Sequence, residues 1–233
     1  VTDKLTYDLN DGVAVLSLDD GKANALGPDM LQGLLDGIAR AESEAKALLL
    51  VGRPGKFCAG FDLKVMMSSP QAARDLVGLG ADMLLGLYGS SLPVVAACTG
   101  HAIAGGALML LCADTRVGVQ GPFKIGLNET AIGMTLPILG QELARDRLDP
   151  RALTAAVIQA TLYSPDEAAE VGYLDSVAEP DALLATALAE AARLGAIPGA
   201  AYAGTKQGLR SKTIGFIRET LAADLAALGG VPG

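Results

Sequence analysis

The chain is poor in histidine, cysteine and positive charge. Its single histidine, His101, cannot furnish a histidine-rich metal site, and Cys58, Cys98 and Cys112 stand in apolar surroundings without CxxC spacing. Reduced thiols and no structural metal are expected. Lysine and arginine number 18 against 26 aspartates and glutamates, giving a formal net charge of −8. That balance leaves no basic face for a polyanion and argues against nucleic acid as the main partner. A G-x-S-x-G elbow, a G-x-x-x-x-G-K-[ST] loop and a strand-linked G-x-G-x-x-G are all missing, which weakens serine hydrolase, nucleotide hydrolase and dinucleotide-binding readings. Val1 to Leu5 shows no cationic stretch leading into an apolar block, so no signal peptide is expected and the cytoplasm is the simplest compartment.

The longest absence is of charge itself. From Met83 to Ala113 no side chain is charged if His101 is neutral. The stretch is nominally long enough to cross a bilayer, but Gly86, Gly89, Ser90, Ser91, Pro93, Gly100, Gly105 and Gly106 break it into a helix end, a strand and a helix start, so no membrane span is expected. Pro93 to Cys98 is a short β-branched apolar run of buried-strand type, and a helix is expected from Gly105. The glycines therefore fall where backbone N–H groups lack partners, and the helix dipole favours negative charge there. Such a site can hold an oxyanion.

What is present fits one large α/β domain, since 233 residues with 51% hydrophobic content supply an ample core. Strands are expected at Val13–Leu18, Ala47–Val51, Val94–Cys98 and Thr115–Val119, alternating with helices at Pro28–Glu44, Pro70–Tyr88 and Gly105–Cys112. This alternation predicts a largely parallel sheet. Ser164-Pro165-Asp166-Glu167 has the sequence of a capped helix start, and Leu174 to Val177 that of a short strand. Ala/Leu-rich helices are expected over Asp181–Leu194 and Ile214–Leu228. A helical tail after a sheet-bearing body suits an assembly element, which divides the chain into a core over 1–178 and a helical segment over 179–233.

Three segments carry candidate chemistry. Gly55 to Lys64 contains Ala59-Gly60, where backbone N–H groups are available or an ordinary turn is made. Gly100 to Leu108 is the glycine turn, read equally as close helix packing. Phe123 to Gly133 sets one carboxylate, Glu129, among apolar and small residues, where a raised pKa suits a general acid or base, though a helix N-terminal role fits as well. Lys22, Arg53, Lys56 and Lys64 cluster in two short segments, either as a local patch for an anionic small molecule or as solvated surface charge.

Taken together and in order, these segments resemble the crotonase (enoyl-CoA hydratase/isomerase) superfamily. The resemblance rests on Asp20 to Leu26, Phe57 to Leu63, Gly100 to Asp114, Gly126 to Thr130 and Ser164 to Val177, and covers nearly the whole chain. It implies a ββα spiral core, a C-terminal helical segment that builds trimers or dimers of trimers, and an acyl-CoA thioester as substrate, with coenzyme A part of that substrate and no separate cofactor. By position it puts the backbone N–H groups of Ala59 and Gly105 on the thioester oxygen, where each donor supplies about 3 kcal/mol to an enolate-like transition state. It assigns substrate and CoA contacts to Lys22, Ala23, Gly60, Phe61, Asp62, Lys64, Gly106 and Leu108, with Lys56 a phosphate neighbour. His101 is read as structural or lining, and Asp114 as structural.

One departure from the family pattern selects among reactions. Hydratases of the family carry a glutamate three residues after the oxyanion glycine, and here that position is Leu108. The remaining carboxylate, Glu129 within Gly-Leu-Asn-Glu-Thr, resembles that of the isomerases that move a double bond from the 3- to the 2-position. One carboxylate suffices for that shift, taking a proton from C2 and returning it to C4. The expected activity is therefore an enoyl-CoA isomerase with Glu129 as proton shuttle. A weak or broad-specificity hydratase and a non-catalytic acyl-CoA-binding protein are the alternatives, and Asp62, Glu142 and Glu170 are candidates for a replacement carboxylate.

Overall fold

Asp11 and Gly12, with φ of 51° and 82°, form the two-residue turn of a hairpin that opens the chain. The computed structural model describes residues 4–227. The hairpin joins β1 (Leu5–Asn10) to β2 (Val13–Leu18), and α1 (Pro28–Glu44) then carries the chain to β3 (Ala47–Val51), parallel to β2. From there one step repeats: a strand in a first sheet, a short strand in a second sheet, then helix. β3 is followed by β4 (Gly55–Cys58), α2 (Leu63–Met66) and α3 (Pro70–Tyr88). β5 (Val94–Cys98), β6 (Gly100–Ile103) and α4 (Gly105–Cys112) make the next turn. β7 (Thr115–Val119), β8 (Ile125–Gly126), α5 (Ile138–Arg147) and α6 (Pro165–Val171) make the third, and β9 (Ser176–Ala178) closes the first sheet. The sheets run β1-β2-β3-β5-β7-β9 and β4-β6-β8, with every pairing after the hairpin parallel. This is the α/β, ββα spiral that the sequence resemblance implies.

The predicted helix boundaries at Pro28, Glu44, Pro70 and Tyr88 match the structure, because prolines mark both starts and the apolar spacing runs unbroken. α6 begins with a capping box: Ser164 accepts the Glu167 N–H while the Glu167 carboxylate accepts the Ser164 N–H. The uncharged stretch divides into the end of α3, then β5, β6 and α4, whose eight residues are all buried. Among the described residues no helix is long and apolar enough to cross a membrane.

Two helices complete the chain, α7 (Leu183–Gly195) and α8 (Gly199–Ala227). Within residues 179–233, α7 buries Leu183, Ala187, Ala191 and Leu194 in a second core cluster with Ala47, Leu49, Val95 and Val117, covering the outer face of the first sheet. α8 begins at Gly199 rather than at Ile214, and Leu228, the expected end of that helix, lies outside the described residues, as do residues 1–3. The early part of α8 is held by charge. Lys206 and Arg210 are buried and both reach the Asp114 carboxylate, at 2.7 and 2.9 Å. Asp114 also accepts the Val94 N–H at 2.8 Å, which bears out its structural role.

Candidate active site

The end of β4 meets the start of α4 at Gly60. Its φ is 89°, and a Cβ there would lie 2.9 Å from Ala104 Cβ and 3.1 Å from the Gly105 nitrogen, so only glycine allows the two backbones to touch. Ala104 precedes α4 at φ 52° and ψ −120°, a conformation that costs a side-chain-bearing residue about 1–3 kcal/mol. It is pinned on both sides, its N–H donating to Gly126 O and its carbonyl accepting from Leu108 N–H, each at 3.0 Å. Being the first residue of α4, Gly105 has no intrahelical acceptor for its N–H, and none is found among the described residues. The Phe61 N–H is equally without a partner among them.

The Ala59 N–H, expected at the thioester oxygen, is already occupied. It donates to Ala23 O at 3.0 Å, which ties β4 to the loop before α1, and the Ala59 side chain is exposed. The Gly60 N–H is also occupied, by Cys58 Sγ at 3.4 Å. The N–H groups left without a partner at this joint are therefore those of Phe61 and Gly105. Gly106 is likewise a packing residue, since a Cβ on it would lie 2.1 Å from the Cys58 carbonyl oxygen.

An apolar cavity opens beside Phe61, lined by its ring, Leu84, Leu108, Leu136 and Leu221 among others, and by Glu129. The Phe61 ring lies on α3 at Gly80, where a Cβ would come within 2.2 Å of Phe61 Cε1. Gly80 thus fixes the ring, and with it the direction of the backbone at Phe61, a dependence that the sequence alone did not disclose. Glu129 sits at the head of a short 3₁₀ turn, Thr130–Ile132, and its carbonyl accepts from Ile132 at 3.1 Å and from Met134 at 2.9 Å. Burial pushes its carboxyl above the ordinary glutamate range, and its Oε2 is buried with no hydrogen-bond partner among the described residues. An apolar wall, a raised carboxyl and one free oxygen are what a proton-transferring group needs.

A second, polar cleft holds Lys22, Ala23, Asp62 and Lys64 together with Lys4 and Asp20. Asp62 joins the two halves of the site, following Phe61 in sequence while capping α2 through the Lys64 N–H at 2.9 Å. The cleft wall is fastened by Asn24, fully buried, whose Nδ2 donates to the carbonyls of Leu18, Lys56 and Phe57 at 2.9 to 3.1 Å. Burial alone would raise the Asp20 carboxyl, but N–H donors from Asn24, Lys22 and Ala25 outweigh it and hold the group below its usual range. Lys56 lies outside both cavities, paired in β-sheet register with His101. His101 accepts the Lys124 N–H on Nδ1 at 3.0 Å and packs edge-on against Phe123, which makes it structural. Among the described residues no group of three His, Cys, Asp or Glu side chains is arranged for a metal ion.

Of the candidate replacement carboxylates, Asp62 lies in the polar cleft, Glu142 pairs with Arg145 at 3.2 Å, and Glu170 is exposed. The second carboxylate that does line the apolar cavity is Asp224 of α8, and its Oδ2 is engaged by the Ile138 N–H at 2.6 Å.

Residues 8–228 match the family model described as enoyl-CoA hydratase/isomerase. The chain belongs to the enoyl-CoA hydratase/isomerase family. It is 33% identical over 211 residues to human mitochondrial enoyl-CoA delta isomerase 1, covering 88% of this chain and 70% of the human protein. It is 29% identical over 177 residues to a crotonyl-CoA hydratase of Syntrophomonas wolfei, covering 74% and 68% of the two chains. The crystal structure of an enoyl-CoA hydratase/isomerase family protein from Pseudomonas syringae superposes with a TM-score of 0.94 at 41% identity, covering 97% of this chain and 98% of that one. Family membership therefore establishes an enoyl-CoA hydratase/isomerase-type enzyme and an acyl-CoA substrate, and leaves the choice of reaction to the site.

Proposed function

We propose that the protein is an enoyl-CoA isomerase that converts a 3-enoyl-CoA to the 2-enoyl isomer. The observation that carries this reading is the free, buried Oε2 of Glu129 in a cavity where the facing α4 position is Leu108. The thioester oxygen is held by the N–H groups of Phe61 and Gly105, which stabilise the charge that develops as C2 loses its proton. Glu129 takes that proton, the electrons delocalise through the former double bond, and Glu129 returns the proton to C4. The same carboxylate is thus base and then acid, and no water is activated. Asp224 does not serve as the second acid of a hydratase in this reading, because its Oδ2 is committed to the Ile138 N–H at the start of α5.

The polar cleft suits the coenzyme A moiety, with Lys22 and Lys64 toward its phosphates and Ala23 and Asp62 along its length. No separate cofactor is required. Exposed Leu209 and Phe216 on α8, 78% and 46% accessible, support self-association as a trimer or a dimer of trimers. The reaction is tested with purified protein and two substrates. A 3-enoyl-CoA should gain the absorbance of a conjugated thioester, while a 2-enoyl-CoA in water should keep it. Rapid loss of that absorbance from the 2-enoyl-CoA would favour the hydratase, and tight binding with turnover of neither would favour the non-catalytic binder.

A further inference from the structure

Asp224 joins two walls of the cavity that contains Glu129. Its Oδ2 accepts the Ile138 N–H at 2.6 Å, across 86 residues of sequence. α5 depends on that acceptor, since its N-cap is Pro137, which has no side-chain oxygen, and its first turn has no acidic residue. Pro137 and, within α5, Leu139 and Gly140 line one side of the cavity, and Leu221 and Leu225 of α8 line another. At this end of the cavity the Asp224 hydrogen bond ties the start of α5 to the tip of α8.

The earlier part of α8 is anchored without Asp224. Lys206 and Arg210 pair with Asp114, Thr213 Oγ1 donates to Asp146 at 2.9 Å, and Ile217 is fully buried. Beyond Ile217 the helix is held by half-buried Leu221 and Leu225 and by the Asp224 bond, with Leu225 resting against α3 at Gly78, 3.5 Å from where a Cβ would stand. The tip of α8 is thus held more sparsely than the earlier part of the same helix.

We propose that Asp224 is a specificity-determining latch, which by tying the tip of α8 to the start of α5 limits the length of the hydrocarbon chain that the cavity accepts. The proposal rests on the reading of this cavity as the acyl site. It is tested by calorimetric binding of short-, medium- and long-chain saturated acyl-CoA thioesters, which need no turnover. D224A should raise the affinity for long relative to short chains by about tenfold, as the loss of one charged hydrogen bond implies. D224N, which keeps an acceptor oxygen, should retain the wild-type preference, and L225F, which thickens the same wall, should shift it toward short chains. Unchanged preference in a folded D224A protein, or D224N behaving as D224A, would overturn the latch while leaving the acyl site standing. Failure of the wild type to bind any acyl-CoA would overturn both.

Discussion

In the proposed reaction the chemistry turns on Glu129, whose environment gives it a definite pH signature. Burial raises its carboxyl, so the ionised form able to take a proton from C2 accumulates only as pH rises through a value above the ordinary glutamate range. The acid limb of kcat/KM should therefore lie above that range, and a limb at or below it would contradict the assignment. The sign for folding is opposite: Glu129's contribution to stability is complete below its unfolded-state pKa and is lost as pH rises through the higher folded-state value. Glu129 was legible in the sequence as a candidate, a lone carboxylate among apolar and small residues that fits a helix N-terminal role as well. The choice between Ala59 and Phe61 was not, because it depends on which N–H Ala23 O captures when two distant segments meet.

At the scale of elements, the site is a joint between the end of β4 and the start of α4, and Gly60 is its pin. G60A places a methyl group against Ala104 and the Gly105 nitrogen at a φ that alanine resists, which pushes the two donors apart. The expected result is a loss of about 10²–10³ in kcat with little change in KM, measured by steady-state kinetics on a 3-enoyl-CoA. A G60A enzyme of wild-type kcat would show that the joint does not set the donor geometry. The strands of the first sheet and the long helices were legible as apolar runs and periodic faces. β4, β6 and β8 were not, since Gly55–Cys58, Gly100–His101-Ala102-Ile103 and Ile125–Gly126 are too short to show alternation. The opening hairpin carries a short-range signal, the Asp11-Gly12 pair. The first half of α8 was obscured by Gly199, Gly204 and Gly208 and by two cations whose burial makes sense only with Asp114 beneath them.

The whole molecule is a spiral that brings its catalytic joint to one side and closes the cavity with its last helix. Asp114 couples stability to that closure, because it neutralises two buried cations from α8 while holding the start of β5. D114A leaves Lys206 and Arg210 buried without it and should cost about 3–5 kcal/mol in urea unfolding. A cost below about 1 kcal/mol would mean that α8 docks by apolar packing alone. The family, the spiral and the acyl-CoA substrate were legible because five segments in order preserve the turns and glycines on which the site depends. The roofing of the cavity by α8 was not, since it arises from contacts between the C-terminal helix and α3 and α5 that no local pattern encodes. The account is tested most directly by comparing wild-type and E129Q protein in the conversion of a 3-enoyl-CoA to its conjugated isomer. E129Q preserves the size and polarity of the side chain but removes the proton acceptor, and should reduce kcat by about 10³ while leaving acyl-CoA binding intact. Isomerisation by E129Q at the wild-type rate would contradict it.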